Sequence, residues 1–152
     1  MPRTMEIKVK PIGHVKRSSK QEDVRDKSLI SEIVLRKGLT KALDGIEGFS
    51  HMFVVFYMHQ VRKEAMKMLK VHPRGRTDLP LLGVFATRTA FRPNPIGLTL
   101  VELLKREENV LIVRGLDAFD DTPVLDIKPY DHQDMATDVR VPKWRKKLEE
   151  KE

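Results

Sequence analysis

The chain contains no cysteine. This absence excludes disulfide bonds, cysteine-ligated zinc, iron–sulfur clusters and thiol nucleophiles, and it is typical of reducing compartments. The sequence also lacks any run of the roughly 18 apolar residues that a membrane-spanning helix requires. Its N-terminus is charged from Arg3 onward instead of apolar, unlike a signal peptide. We therefore predict a cytoplasmic protein that does not bind a membrane.

Several common signatures of cofactor and metal sites are missing as well. No Gly-x-Gly-x-x-Gly follows an apolar run, which excludes the usual dinucleotide-binding turn. No phosphate-binding loop and no His-Glu-x-x-His occur, and the five histidines are scattered without the spacing of metal ligands. The sequence predicts no metal site.

The charged residues are unevenly distributed along a chain whose net charge is +7. Residues 61–76 contain six Lys and Arg against Glu64, whereas residues 115–138 contain seven Asp against Lys128. A surface that serves solubility alone usually mixes the two signs. We expect the basic segment to contact a polyanion such as RNA, although a well-solvated surface is the alternative.

The apolar pattern predicts short strands with few helices between them. The predicted strands are residues 5–10, with an extended course resuming after Pro11 at residues 12–15, and residues 29–35, 51–58, 81–87, 98–104, 110–116 and 124–127. The strands on either side of residues 107–109 form a hairpin, residues 61–71 fit a short helix or a strand, and at most one helical turn lies at residues 40–43.

Strand–helix alternation, which a doubly wound sheet requires, is absent. The pattern instead predicts a mainly β protein, a single-domain closed or nearly closed β-barrel of about seven short strands. We place this barrel in residues 1–140 and expect a basic helical tail in residues 141–152, with Trp144 and Leu148 as its apolar stripe.

Residues 83–97, with the sequence GVFATRTAFRPNPIG, form the most distinctive segment. Its two prolines exclude a helix and hold the chain extended, so the loop positions polar side chains at little entropic cost. Arg88 and Arg92 carry planar guanidinium groups that suit a carboxylate or phosphate, and the Asn94 amide can bind a purine edge. The alternative is a stiff turn with solvated arginines.

A second group of polar residues lies in residues 115–130. Asp117 follows a predicted strand and is placed to accept both ribose hydroxyls of a nucleoside. Asp126 alternates with apolar neighbours, so we expect it to point inward and to pair with Lys128 on the same strand face. An ordinary turn and a structural ion pair are the alternative, and Tyr130 either stacks on a base or packs on the barrel rim.

Residues 83–97 and 120–130 together resemble the TsaA-like, or TrmO, family, and residues 12–15 and 48–51 follow the family pattern in matching order. The resemblance extends over about residues 7–130. It implies a β-barrel methyltransferase that acts as a homodimer, with S-adenosylmethionine bound near the subunit interface. The implied reaction is methylation of N6 of threonylcarbamoyladenosine, the modified base next to the anticodon of tRNA.

The resemblance also implies the residues of the site. The cofactor contacts are His59, Gln60, Arg88, Leu98, Asp117, Ala118, Phe119 and Asp120. The expected substrate contacts are Arg92, Asn94, Lys63, Lys67, Lys128 and Tyr130, and the candidate proton acceptors are Asp120, Asp126 and His59. A lone histidine after a central strand is, however, more often a structural hydrogen-bonding residue than a catalyst.

Two further functions are compatible with the sequence. One is a module that binds S-adenosylmethionine without catalysis, and the other is a methyltransferase that acts on a small molecule. Longer bacterial members of the family have an additional C-terminal domain, in whose place this sequence has only residues 131–152.

Overall fold

The computed structural model describes residues 5–17 and 24–150. No helix in these ranges is both long enough and apolar enough to span a membrane. The chain divides into two compact units, Met1–Tyr57 with Leu98–Tyr130 and Met58–Gly97 with Asp131–Glu152. The boundary placed at residue 140 from the sequence stays a prediction.

The described residues form eight strands. They are β1 (Gly13–Lys16), β2 (Ile30–Leu35), β3 (His51–Tyr57), β4 (Lys70–Val71), β5 (Leu82–Gly83), β6 (Ile96–Glu107), β7 (Val110–Arg114) and β8 (Pro123–Pro129). Six of them close a barrel in the order β1-β2-β7-β6-β3-β8, and β8 pairs back to β1. The strands β4 and β5 pair as a separate two-stranded sheet. The predicted mainly β barrel is confirmed.

Short helices connect these strands. The 3₁₀ helices are Lys37–Leu43, Ile46–Gly48, Lys63–Lys67, Pro73–Gly75, Val84–Ala86 and His132–Asp134, and the α-helix α1 is Lys143–Lys147. A helical turn is present at residues 40–43 as predicted, but the limit to one turn is wrong, because the 3₁₀ helix there begins at Lys37 and a second one follows. The α1 helix lies in the predicted tail, and Trp144 and Leu148 are its half-buried residues.

The barrel core is built from one face of each strand. In β3 the side chains of Met52, Val54 and Phe56 are buried while their neighbours are only partly covered. The buried residues of β7, Leu111 and Val113, show the same alternation. Since each large apolar side chain contributes about 1.5–3 kcal/mol on burial, these faces drive barrel closure.

Gly13 lies where the strands β1 and β2 approach each other closely. It pairs with Leu35 of β2 on one side and with Val124 of β8 on the other. A Cβ at this position would lie 2.2 Å from the carbonyl oxygen of Val34 and 2.8 Å from the Cα of Leu35. The residue must therefore be glycine for β1 and β2 to pair at this spacing.

The strand predicted at residues 5–10 is wrong, since this segment is exposed and has no strand pairing. β1 begins at Gly13, within the extended course predicted at residues 12–15, and Gly13 lies opposite the last residue of β2. The N–H of Ile12 still donates to the carbonyl of Val124, and its carbonyl accepts from the N–H of Arg36, but no strand pairing precedes it, and Pro11 has no N–H to donate. Alternation alone does not make a strand where no pairing forms.

The other boundaries differ less. The strand predicted at residues 81–87 shrinks to β5, because the 3₁₀ helix Val84–Ala86 takes over the rest. Residues 61–71 contain both predicted alternatives, a 3₁₀ helix followed by β4. The hairpin is confirmed, with Glu108 and Asn109 as its turn between β6 and β7.

Candidate functional site

The acidic turn, residues 117–122 between β7 and β8, holds the carboxylate of Asp117 in a fixed direction. Its Oδ1 accepts a hydrogen bond from the Thr99 hydroxyl on β6. Its Oδ2 lies 3.6 Å from Lys27 Nζ, which also donates to the carbonyl of Gly115 at 3.2 Å. The Asp117 side chain is still 36% exposed. The carboxylate is therefore fixed in direction and accessible to a ligand.

A buried arginine supports this turn from the end of β1. Arg17 is only 7% exposed, and its Nη1 donates to the carbonyls of Leu116 at 3.0 Å and Ala118 at 3.3 Å. Its backbone N–H donates to Asp120 Oδ1 at 2.8 Å. Hydrogen bonds from a charged group are stronger than neutral ones, so Arg17 holds the backbone on both sides of Asp117.

Neither Arg17 nor Thr99 was predicted from the sequence as a residue of the site. Thr99 carries a usable signal, because it is a polar residue at an inward position between two outward leucines of β6. Arg17 carries no such signal, because one basic residue after a short strand looks like any solvated cation.

The rest of the acidic turn packs against β1. The N–H of Asp121 donates to the carbonyl of Val15 at 2.8 Å, and the hydroxyl of Thr122 donates to that of Phe119 at 2.7 Å. Ala118 is buried, whereas the ring of Phe119 is half-exposed. Among the predicted cofactor contacts here, the structure brings Asp117, Phe119 and Asp120 to one turn.

The expected inward orientation of Asp126 is wrong. Val55 lies opposite Asp126, and Phe56 lies opposite Val124, so Leu125 is an extra residue that forms a β-bulge. The bulge reverses the alternation of the strand. Asp126 therefore points to the outer face, and half of its side chain is exposed.

Lys128 shares that outer face and pairs with Asp126 as predicted. Its Nζ lies 3.1 Å from Asp126 Oδ2, and Asp126 Oδ1 accepts from the N–H of Ile127 at 2.9 Å. Tyr130 packs edge-on against the rings of Phe53 and His51, with centroids 5.7 and 6.3 Å apart. The structure thus favours packing on the barrel rim for Tyr130.

In the second unit, Arg92 holds together the Pro-rich loop, which is the distinctive segment of residues 83–97. Its Nη1 donates to the carbonyls of Thr87 and Thr89, both at 3.1 Å, and its guanidinium lies 5.8 Å from the centroid of the Phe85 ring. The Thr87 hydroxyl donates to the carbonyl of Val84 at 2.8 Å. The loop is cross-linked by its own side chains, in agreement with the predicted rigidity.

Two more predicted residues follow a backbone contact with this loop within the same unit. The N–H of Met58 donates to the carbonyl of Pro95 at 2.7 Å, which places the exposed residues His59 and Gln60 directly beyond this backbone contact. Arg88 and Asn94 are also exposed. The second unit therefore presents several predicted polar residues on and beside one rigid loop.

The basic segment, residues 61–76, anchors the C-terminal helix. Arg74 donates to the carbonyl of Leu148 at 2.7 Å, and Arg76 donates to that of Lys147 at 2.8 Å. Arg76 also donates both arms of its guanidinium to Asp78 at 3.1 and 2.7 Å, and these bonds hold the pKa of Asp78 below its usual range. Cations at a helix C-terminus are favourable. The lysines of the segment, Lys63, Lys67 and Lys70, stay exposed.

Metal ligation finds no support in the described ranges, where no three His, Asp or Glu residues group closely enough to hold an ion. The predicted site residues instead include hydrogen-bond acceptors in the first unit and cations in the second. Such groups bind polar organic ligands and anions directly.

Comparisons with known proteins agree with this architecture. Residues 14–134 match the family model for the tRNA-methyltransferase O N-terminal domain. An S-adenosyl-L-methionine-binding protein of Archaeoglobus fulgidus is 42% identical over 127 residues, which cover 80% of this chain and 88% of that protein. The tRNA (adenine(37)-N6)-methyltransferase of Escherichia coli K12 is 43% identical over 93 residues, which cover 59% of this chain and 39% of that protein.

The same architecture occurs in solved structures. The crystal structure of TrmO from Pseudomonas aeruginosa superposes with a TM-score of 0.74 at 30% identity, over 93% of this chain and 63% of that chain. The chain thus spans less than two thirds of the solved protein. With the family model matched over most of its length, this chain belongs to the TrmO family of tRNA-methyltransferase O N-terminal domains.

Proposed function

We propose that this chain is an S-adenosylmethionine-dependent methyltransferase that methylates N6 of threonylcarbamoyladenosine next to the anticodon of tRNA. The observation that carries the proposal is the oriented, accessible carboxylate of Asp117 in a chain of this family. The names of two relatives support it. The Archaeoglobus protein is named for binding the cofactor, and the Escherichia coli protein is named for methylating adenine 37 at N6.

The Asp117 carboxylate fits the ribose of the cofactor. An ionised carboxylate has about four lone-pair sites, and Thr99 and Lys27 engage only part of them. Two acceptor positions are left for the two ribose hydroxyls. Because Arg17 holds the backbone on both sides, the carboxylate needs little reorganisation when the nucleoside binds.

We propose different roles for the remaining predicted cofactor contacts. Leu98 and Phe119 present half-exposed apolar side chains that suit the adenine ring. Ala118 contributes only through its backbone, because its side chain is buried. His59, Gln60 and Arg88 are exposed polar residues of the second unit, and their contacts with the cofactor stay predictions from the family resemblance.

Bound S-adenosylmethionine supplies a methyl group already activated by its sulfonium. The protein then mainly orients the acceptor and removes a proton. The threonylcarbamoyl group makes the N6 proton more acidic, so a weak base suffices.

We assign the proton-accepting role to His59. Histidine is the side chain that most often acts as a general base in enzymes, whereas Asp120 and Asp126 already accept charged or backbone donors. His59→Asn should therefore lower the rate of methyl transfer measured at saturating S-adenosylmethionine, where a weakened cofactor contact no longer limits the rate. Unchanged turnover would remove His59 from this role.

The decisive experiment measures transfer of a labelled methyl group from S-adenosylmethionine to tRNA carrying threonylcarbamoyladenosine. Nucleoside mass spectrometry of the product should show the label on N6 of that nucleoside. Unmodified tRNA is the control, and we expect little transfer to it. Cofactor binding without transfer to either RNA would contradict the enzymatic function.

A non-catalytic cofactor-binding module is the second candidate, favoured by the Archaeoglobus relative, whose name states binding alone. A methyltransferase for a small molecule is the third. The same assay separates them, because the module transfers no label at all. The small-molecule enzyme labels a component of a metabolite extract and leaves tRNA unlabelled.

The basic segment makes a separate prediction about RNA binding. Changing Lys63, Lys67 and Lys70 to Glu should weaken tRNA affinity by more than about tenfold and flatten its dependence on salt. The reason is that the variant makes fewer phosphate contacts, so its binding releases fewer counterions. Fluorescence anisotropy at several salt concentrations measures both. The matched control changes the exposed residues Lys10, Lys37 and Lys41 to Glu, which gives a variant of the same net charge. Equal losses in the two variants would make the effect one of total charge.

We also propose that the protein acts as a homodimer. Leu98 and Leu100 lie on the outer face of β6, where both are about half exposed. Exposed apolar side chains on a closed barrel suit a contact with a second copy. Sedimentation equilibrium should give twice the mass of one chain, and the mass of one chain would overturn this part.

A further inference from the structure

Phe85 exposes an aromatic ring to solvent. The side chain is 78% exposed, although it lies in a well-formed 3₁₀ helix, Val84–Ala86, directly after β5. Aromatic rings are usually at least half covered in soluble proteins. A ring that the fold presents to solvent in this way is typical of a contact surface.

The loop holds a cation against this ring. The Arg92 guanidinium lies 5.8 Å from the ring centroid, and its Nη1 is fixed by the carbonyls of Thr87 and Thr89. The Thr87 hydroxyl in turn donates to the carbonyl of Val84, inside the same short helix. The ring and the guanidinium are therefore pre-organised, so a planar ligand that stacks on them loses little entropy.

The strand paired with β5 carries an exposed lysine. Lys70 of β4 pairs with Gly83 of β5, two residues before Phe85, and Lys70 is exposed. The carbonyl of the preceding Leu69 accepts from the N–H of Val84 at 3.0 Å. An exposed ring flanked by cations is the pattern that single-stranded nucleic acids bind, with bases on the ring and phosphates on the cations.

We propose that Phe85 and Arg92 form a stacking platform for an unpaired base of an RNA loop, with Lys70 contacting the adjoining phosphate. The inference rests on the proposed action on tRNA, whose anticodon loop offers such bases. The adenine of the cofactor is the other possible ring. It fits less well, because S-adenosylmethionine has no phosphate for Lys70 and adds a positively charged sulfonium to a basic surface.

The experiment compares two RNA probes of equal charge. One is a synthetic anticodon stem-loop, and the other is a fully paired duplex with the same number of phosphates. Phe85→Ala should lower affinity for the stem-loop by about tenfold or more and leave duplex affinity unchanged. The control is Leu69→Ala, which removes another highly exposed apolar side chain, 76% exposed, and should leave both affinities unchanged.

A fluorescent variant tests stacking directly. The chain has one tryptophan, Trp144, so Phe85→Trp in a Trp144→Phe background places the only indole at the platform. Addition of the stem-loop should quench its emission, whereas the duplex should not. Absence of quenching, with the stem-loop bound, overturns the platform.

The other outcomes are distinguishable. If the unaltered protein binds neither RNA, the proposed action on tRNA fails and the platform fails with it. If the unaltered protein binds the stem-loop and Phe85→Ala binds it equally well, the platform alone fails. If Phe85→Ala lowers cofactor affinity instead, the ring belongs to the cofactor site. If the substitution lowers the mass of the protein in solution, the ring belongs to a contact between copies. Either result overturns the inference.

Discussion

Replacing Asp117 with asparagine is expected to weaken S-adenosylmethionine binding roughly 30-fold, because a hydrogen bond to a charged group contributes about 2 kcal/mol. The substitution removes the negative charge that the ribose hydroxyls are proposed to meet. The amide oxygen can still accept the hydrogen bond from Thr99. The shape of the turn is thus retained while its strongest acceptor is lost.

The fold should survive this change. The ion pair with Lys27 is largely solvent-exposed, with exposed fractions of 61% and 36%, and such pairs contribute less than about 1 kcal/mol. Isothermal titration calorimetry gives the affinity, and urea unfolding gives the stability of the same samples. A fall in both would assign Asp117 a structural role.

Asp121→Asn is the matched control. Asp121 lies four residues further along the same turn, is exposed, and adopts a positive φ of 64°, which asparagine tolerates well. It carries the same chemical change with the same loss of charge. If both variants lose cofactor affinity equally, the effect comes from the overall charge of the acidic turn and the proposed ribose contact is wrong.

Gly13→Ala is expected to lower the free energy of unfolding by about 3 kcal/mol. The new methyl group would lie 2.2 Å from the carbonyl oxygen of Val34. A backbone atom in a barrel cannot move aside as the end of a flexible side chain can. β1 and β2 must therefore separate, and the pairing of Gly13 with Leu35 is lost.

Gly38→Ala provides the comparison for this prediction. Gly38 lies in the 3₁₀ helix Lys37–Leu43, and a Cβ there would have nothing within 4 Å. Alanine at such a position should be neutral or slightly stabilising, since it restricts the unfolded chain. Urea titrations of the two variants measure the difference. Equal stabilities would show that the barrel seam accommodates a methyl group after all.

Local pattern was sufficient for much of the fold. The apolar run at residues 51–58 and the hairpin around residues 107–109 were predicted nearly in place. Both depend on neighbours close in sequence, so their periodicity and turn residues are visible without a structure. Residues 5–10 show the same alternation, yet they form no strand, because whether a partner lies alongside is not a local property.

For the site residues too, local features could be predicted from the sequence and features that depend on a partner strand could not. The Pro-rich loop was visible as a rigid, arginine-bearing segment, because prolines restrict the backbone wherever they occur. The direction of Asp126 was not, since a bulge at Leu125 changes which face each later residue occupies. A bulge depends on the partner strand β3, and one strand's own alternation does not reveal it.

The sequence thus indicated candidate segments for the chemistry, and three-dimensional pairing established how their polar side chains are held. Asp117 was selected from its position after a strand, but its support by Arg17 and Thr99 appeared only in the folded chain. Arg17 and Asp120 are 103 residues apart in sequence. Barrel closure brings β1 alongside the turn before β8, and contacts over such separations leave no periodic trace in the sequence.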